Sequence, residues 1–92
     1  MKCRDLNEVR ENIDRIDKQM IQLIAERTDY VMQASSFKKS EDGVRDPKRV
    51  ESVIQKVRKL ADEYGANPDM VEVLYREMIA TFIQMELEAY KA

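Results

Sequence analysis

Residues 6–39 read LNEVRENIDRIDKQMIQLIAERTDYVMQASSFKK. The apolar residues of this stretch recur at alternating intervals of three and four, the spacing of one face of an α-helix. No glycine or proline interrupts the pattern, so we predict one helix from about residue 6 to about residue 39. Such a helix is about 50 Å long, whereas a compact chain of this size is about 30 to 35 Å across. The protruding half therefore predicts a partner.

Two further helices are indicated by their start signals. The pairs Asp-Pro at 46–47 and Asn-Pro at 67–68 each place a capping side chain before a proline at the first helical position. Gly65 is the residue type that ends a helix in the left-handed conformation, so the second helix ends near residue 64. Strand signals are missing. We expect an all-α fold in one domain over residues 1–92, with a long, a short and a long helix.

Composition excludes several classes of function. Sixteen Lys and Arg against eighteen Asp and Glu, in 92 residues, give a net charge of -2, so no basic field attracts nucleic acid or a membrane surface. We expect no signal peptide and no membrane span from this sequence. A lone Cys3 and the absence of His remove internal disulfides, the usual zinc sites and Ser/His or Cys/His catalysis. We expect a cytoplasmic protein without metal or cofactor.

Two cations stand out in the first helix. Arg27 occupies a position of the apolar stripe, where an unpaired charge costs several kcal/mol, so it needs either a carboxylate partner or an anionic ligand. Lys38 follows eleven residues later and, on a continuous helix, points within about 20° of the same direction. The two could converge on a small dianion. The alternative is that Arg27 pairs with a neighbouring carboxylate and that Lys38 is solvated at a fraying helix end.

Other candidates are weaker by themselves. Glu86 shares a helix face with apolar residues, and such burial favours a neutral carboxyl group that can donate a hydrogen bond. A salt bridge from Glu86 to Arg27 or Lys38 is the equal alternative. Arg10 faces about 100° away from Arg27 and could serve a pocket on a partner chain. Arg49, just after the second helix begins, could enter the pocket from the loop side.

The sequence resembles the all-helical, AroQ-type chorismate mutases over nearly its whole length. The matching stretches are 9–17 (VRENIDRID), 23–27 (LIAER), 37–38 (FK) and 44–49 (VRDPKR). The resemblance implies an intertwined homodimer in which two three-helix chains interlock along their first helices. It also implies conversion of chorismate to prephenate by a pericyclic rearrangement that needs no general base, nucleophile, metal or cofactor.

The resemblance also implies roles for individual residues. Arg27, Lys38 and Arg49 of one chain, with Arg10 of the other, would hold the two carboxylates and the ether bridge of chorismate. Lys38 would be the main electrostatic catalyst, and Asp46 matches the position that contacts the ring hydroxyl. We expect the substrate to be a small dicarboxylate.

Three residues depart from the pattern of the mutases. Glu86 stands where glutamine is frequent and can donate to the ether oxygen only when protonated, so we predict activity that falls as pH rises. Val50 replaces a glutamate that contacts the ring hydroxyl, and Phe82 replaces a serine found in some members. Val50 and the run over residues 29–38 resemble the isochorismate pyruvate lyases of the same fold, which form salicylate and pyruvate.

Lyase activity is therefore the alternative to mutase activity. A third alternative is a protein without enzymatic activity. In that case the chain is a helical interaction module, a dimeric hairpin with an arginine in its apolar interface.

Overall fold

The computed structural model describes residues 2–91, and these residues form helices and no strand. The elements in chain order are α1 (Leu6–Ser35), α2 (Glu41–Arg45), α3 (Pro47–Tyr64) and α4 (Pro68–Lys91). The all-α class is confirmed, and α1, α3 and α4 are the three predicted helices. No helix within the described residues is long and apolar enough to cross a membrane.

The prediction is wrong at the end of the first helix. α1 stops at Ser35 instead of continuing to about residue 39, so its 30 residues are about 45 Å long. The Phe37 amide donates to the Ala34 carbonyl and the Lys38 amide to the Ser35 carbonyl, each at 3.1 Å. These bonds span three residues instead of four and close tight turns that end the helix. Lys38 therefore lies beyond α1, and the helical spacing that aligned it with Arg27 does not apply.

The polar segment before the second predicted helix contains the additional one-turn helix α2. The Ser40 hydroxyl caps its start by accepting a hydrogen bond from the Gly43 amide at 3.1 Å. Val44 is buried, and α2 contacts α4. Capping at one end and burial of one apolar side chain stabilise a helix that polar composition alone did not predict.

Asp46 joins α2 to α3 in the left-handed conformation, with φ 30° and ψ 69°. Its amide donates to the Asp42 carbonyl at 2.9 Å and ends α2. Its carboxylate accepts from the Arg49 amide at 3.2 Å and caps the start of α3, where Pro47 takes the first position. Asp is one of the few residue types besides Gly that tolerate this conformation. The predicted start of the second helix is confirmed.

The remaining predicted helix ends are also confirmed. Gly65 has φ 77° and caps the end of α3 with its amide. The Asn67 side chain accepts hydrogen bonds from the Asp69 and Met70 amides at 2.9 and 3.1 Å and starts α4.

The chain divides into two compact units, one up to Gln33 and the other from Ala34 onward. The expectation of one domain over residues 1–92 stays a prediction. Helix α1, which makes up most of the first unit, has no buried residue. Its large apolar side chains are exposed by 39 to 65% at Leu6, Val9, Ile13, Ile16, Met20, Ile21, Leu23, Ile24 and Tyr30.

The second unit has its core between α3 and α4. Ile54, Val57 and Ala61 are buried along one face of α3, at the spacing that predicted this helix. They are joined by Phe82 and Leu87 of α4. A close-packed interior of this kind loses about 2 to 5 kcal/mol when a buried Ile is cut back to Ala. The side chains on α3 and α4 are therefore held on a packed frame.

An exposed ion-pair cluster also links α3 to α4. Arg76 binds both carboxylate oxygens of Glu51 at 2.9 Å and Glu72 at 2.7 Å, and Arg58 binds Glu72 at 2.8 Å and Asp69 at 3.0 Å. Hydrogen bonds from Arg76 lower the pKa values of Glu51 and Glu72 below 4.5, the ordinary value for a glutamate side chain. Asp69 raises the pKa of Arg58, and Glu51 raises that of Arg76. We call these five residues the α3–α4 cluster.

Candidate active site

A partly buried ion pair between Lys38 and Glu86 is the centre of the candidate site. Glu86 lies on α4 with its side chain 4% exposed, and Lys38 lies between α1 and α2 with its side chain 28% exposed. The Lys38 Nζ atom donates to Glu86 Oε2 at 3.0 Å. The salt bridge that was one of two alternatives for Glu86 is therefore present, and its partner is Lys38.

The Lys38 ammonium group keeps N–H donors for a ligand after it has bound Glu86. An ammonium group carries three N–H donors, and the bond to Glu86 uses one of them. Because Glu86 is buried and Lys38 is partly exposed, the cation forms the accessible end of the pair. The arrangement can present a positioned, charge-assisted donor to an anion or to an oxygen that gains negative charge.

The segment that carries Lys38 is also held from α4 at a second point. The Tyr90 hydroxyl donates to the Lys39 carbonyl at 3.1 Å. Glu86 and Tyr90 are four residues apart and therefore lie on the same face of α4. The sequence did not predict this bond, because helical spacing shows which side chains share a face and not which distant carbonyl they reach.

The predicted residues at the α2–α3 junction lie in the same unit. Asp46 and Arg49 are exposed, and Val50 is partly buried. The Asp46 carboxylate already accepts a hydrogen bond from the Arg49 amide. Within the described residues, no group of three or more His, Cys, Asp or Glu side chains could hold a metal ion.

Comparison with known proteins decides the family. Residues 9–87 match the family described as chorismate mutase type II. The chain belongs to this family. It is also 35% identical over 89 residues to the isochorismate pyruvate lyase of Pseudomonas aeruginosa, covering 97% of this chain and 88% of that protein. The resemblance that the sequence motifs indicated is confirmed.

The chorismate mutase type II match covers every predicted site residue, but the structure brings only some of them together. Lys38 and Glu86 are in contact. Phe82 is buried on α4, one turn before Glu86. Arg10 and Arg27 lie on α1 in the first unit, where Arg10 is exposed and Arg27 is partly buried. Their roles stay predictions.

Proposed function

We propose that this chain is a chorismate mutase that converts chorismate to prephenate. The observation that carries the proposal is the Lys38 ammonium held 3.0 Å from buried Glu86, in a chain that matches the chorismate mutase type II family over residues 9–87. In this rearrangement one C–O bond breaks and one C–C bond forms in a single concerted step. No acid, base or nucleophile is needed, so the protein contributes conformation and electrostatics.

Lys38 is the main catalytic residue in this proposal. As the ether bond breaks, negative charge develops on its oxygen, and a fixed ammonium donor stabilises that charge more than it stabilises the ground state. Glu86 accepts from the Lys38 ammonium and holds it in place. Each positioned donor of this kind contributes about 10² to 10³ in kcat.

The arginines bind the two substrate carboxylates in this proposal. Guanidinium groups match carboxylates in a bidentate geometry, which fixes the substrate side chain over its ring in the reactive conformation. Arg27 and Arg49 act within one chain, and Arg10 acts from the partner. Support for these roles comes from the family match and from the exposed or partly exposed side chains of all three residues.

Recognition of the substrate ring falls to the α2–α3 junction and α4. We assign the ring hydroxyl to Asp46 and the neighbouring apolar surface to Val50 and Phe82. The Asp46 carboxylate is exposed and bonded to a backbone amide, so it retains acceptor capacity for a hydroxyl group.

Isochorismate pyruvate lyase activity is the second candidate. It is favoured by the 35% identity to a protein of that name and by Val50, which matches the pattern of those lyases. The same cations would serve this reaction, because its substrate also carries two carboxylates and an ether bridge.

One assay distinguishes these candidates. Purified protein is incubated separately with chorismate and with isochorismate, and the products are separated by chromatography. Prephenate from chorismate supports the mutase, and salicylate with pyruvate from isochorismate supports the lyase. Turnover of neither substrate would contradict both and leave the helical interaction module.

The Arg27→Leu variant separates enzyme from interaction module. Removing a charge from an apolar stripe stabilises a purely structural helix and does not impair its function. The enzyme proposal instead predicts a folded variant without turnover. Equilibrium unfolding and the turnover assay on the same preparation give the answer.

We propose that the protein works as a homodimer in the cytoplasm. The exposed apolar side chains of α1 supply a surface that a second copy would bury, and a single helix of about 45 Å offers enough length for it. The free Cys3 is consistent with that compartment.

Mixing two inactive variants tests the dimer and the shared site together. If Arg10 and Lys38 of one site come from different chains, Arg10→Ala and Lys38→Met are each inactive, and each mixed dimer contains one intact site. Random exchange then restores about a quarter of the wild-type activity, because about half of the dimers are mixed. Failure to restore activity, with dimers present in analytical ultracentrifugation, would place both residues in one chain.

A further inference from the structure

The segment over residues 36–39 carries the proposed catalytic lysine without being part of a helix. Its aromatic residue, Phe37, is 83% exposed and so does not anchor it in the core. Backbone hydrogen bonds tie the segment to the last turn of α1, at Ala34 and Ser35. Contacts from α4 to residues 38 and 39 add a direct link between this segment and α4.

Helix α4 supplies two such contacts to neighbouring residues. Glu86 accepts from the Lys38 side chain, and Tyr90, one turn further on, donates to the Lys39 backbone carbonyl. The first bond fixes the ammonium end of a flexible four-carbon stem, and the second fixes the backbone from which this stem starts. Tyr90 is 46% exposed, so its ring is not part of the core. The contact that links it to the site is the hydrogen bond from its hydroxyl to the Lys39 carbonyl.

We propose that Tyr90 is a positioning residue that sets the place of Lys38 through the Lys39 carbonyl. This inference rests on the proposed function for its effect on catalysis. Without the Tyr90 bond, the backbone at Lys38 and Lys39 is free to shift while the ammonium still contacts Glu86. The remaining donors of Lys38 then point away from the breaking ether bond, and small misplacements of this kind lower the rate strongly.

The test compares Tyr90→Phe with Tyr64→Phe. Both changes remove one hydroxyl group from the second unit, and Tyr64 is 85% exposed and outside the site. We expect Tyr90→Phe to lower kcat about fivefold, the ratio that corresponds to one ordinary hydrogen bond, with little change in KM. Tyr64→Phe should keep wild-type kinetics. An unchanged kcat in Tyr90→Phe would overturn the proposal.

A double variant separates positioning from general destabilisation. If Tyr90 acts only through Lys38, adding Tyr90→Phe to Lys38→Met causes no further loss of the residual kcat. If the two losses multiply, Tyr90 does not act through Lys38 and the inference is wrong.

A chemical measurement keeps the inference testable when the proposed function fails. Acetic anhydride acylates exposed lysines, and peptide mass spectrometry gives the rate for Lys38 relative to Lys59 on α3. Tyr90→Phe should raise this ratio, whereas Tyr64→Phe should not. A raised ratio in a protein that turns over neither substrate would uphold the positioning of Lys38 and reject the enzyme. An unchanged ratio would reject the positioning, whatever the activity.

Discussion

Two carboxylates of α4 have opposite surroundings. Glu72 is 28% exposed and binds two arginines of the α3–α4 cluster, whereas Glu86 is 4% exposed and binds Lys38. The arginine contacts join a network in which each guanidinium contacts two carboxylates. The lysine contact uses one of three donors on a compact, mobile charge.

This difference indicates a structural role for the α3–α4 cluster and a binding role for the Lys38–Glu86 pair. In the α3–α4 cluster each guanidinium is already paired with two carboxylates, and solvent weakens their attraction. In the Lys38–Glu86 pair the carboxylate is buried, which is costly unless the partner stays in place. A cation held so firmly, with donors left over, is suited to stabilise charge on a ligand.

Loss of the Lys38 ammonium should impair both catalysis and folding. We expect Lys38→Met to lower kcat for chorismate about 10³-fold, because the donor at the breaking ether bond is lost. The free energy of unfolding should also fall by about 3 to 5 kcal/mol, since Glu86 is left buried without its cation. Turnover assays and urea unfolding measure the two effects.

Two variants control for the loss of charge and for unfolding. Lys59→Met removes an exposed lysine from α3 and should leave both quantities nearly unchanged. Lys38→Arg keeps the positive charge and should keep the fold while its bulkier, planar group still lowers kcat. Activity of Lys38→Met within a few-fold of the wild type would show that Lys38 is not the catalyst.

Glu86→Gln changes the buried carboxylate to an amide. The variant keeps an oxygen that accepts from Lys38 and adds an amide N–H that donates. We expect a higher kcat for chorismate, because the amide adds a donor at the ether oxygen, and the turnover assay measures it. The loss of a charged hydrogen-bond partner should cost about 1.5 to 3 kcal/mol of stability.

Glu72, on the same helix, provides the matched control for this experiment. Glu72→Gln makes the same chemical change in the α3–α4 cluster and should leave kcat as it is in the wild type. An unchanged kcat in Glu86→Gln would exclude Glu86 from contact with the ether oxygen.

Local signals predicted the frame of the molecule well. The cap-and-proline pairs gave the starts of α3 and α4, and Gly65 gave the end of α3, because these residues act on the backbone next to them. The end of α1 was missed, since Ser35 and Ser36 carry no strong stop signal. Helix α2 was missed as well, because a five-residue helix depends on one cap and on one buried side chain, Val44.

Residue types and the family pattern predicted which residues belong to the site, but not which of them are in contact. Glu86 against apolar neighbours indicated a buried carboxyl group, but two partners remained open until the structure showed Lys38. The Tyr90 bond joins residues 51 positions apart, and periodicity carries no information on such a contact. Asp46 was predicted as a cap, but its left-handed conformation depends on having α2 on one side and α3 on the other.

The smallest effect is expected in the α3–α4 cluster. Because Arg76 lowers the folded-state pKa of Glu51 and Glu72, this stabilisation is present above the ordinary pKa of 4.5 and is lost as pH falls through the lowered values. Arg76→Met should therefore lower the thermal midpoint modestly at pH 7, and its difference from the wild type should shrink below pH 4.5. Glu51→Gln, which removes one of the two carboxylates bound by Arg76, should have the smaller effect.

Activity provides the decisive readout for Arg76→Met. Because Arg76 is paired with Glu51 and Glu72 and is not among the proposed site residues, the folded variant should turn over chorismate at the wild-type rate. A loss of kcat at a temperature where Arg76→Met is fully folded would mean that the cluster also acts on the substrate. Glu72 would then be part of the site, as Glu86 is, and the two carboxylates of α4 would not have separate structural and binding roles.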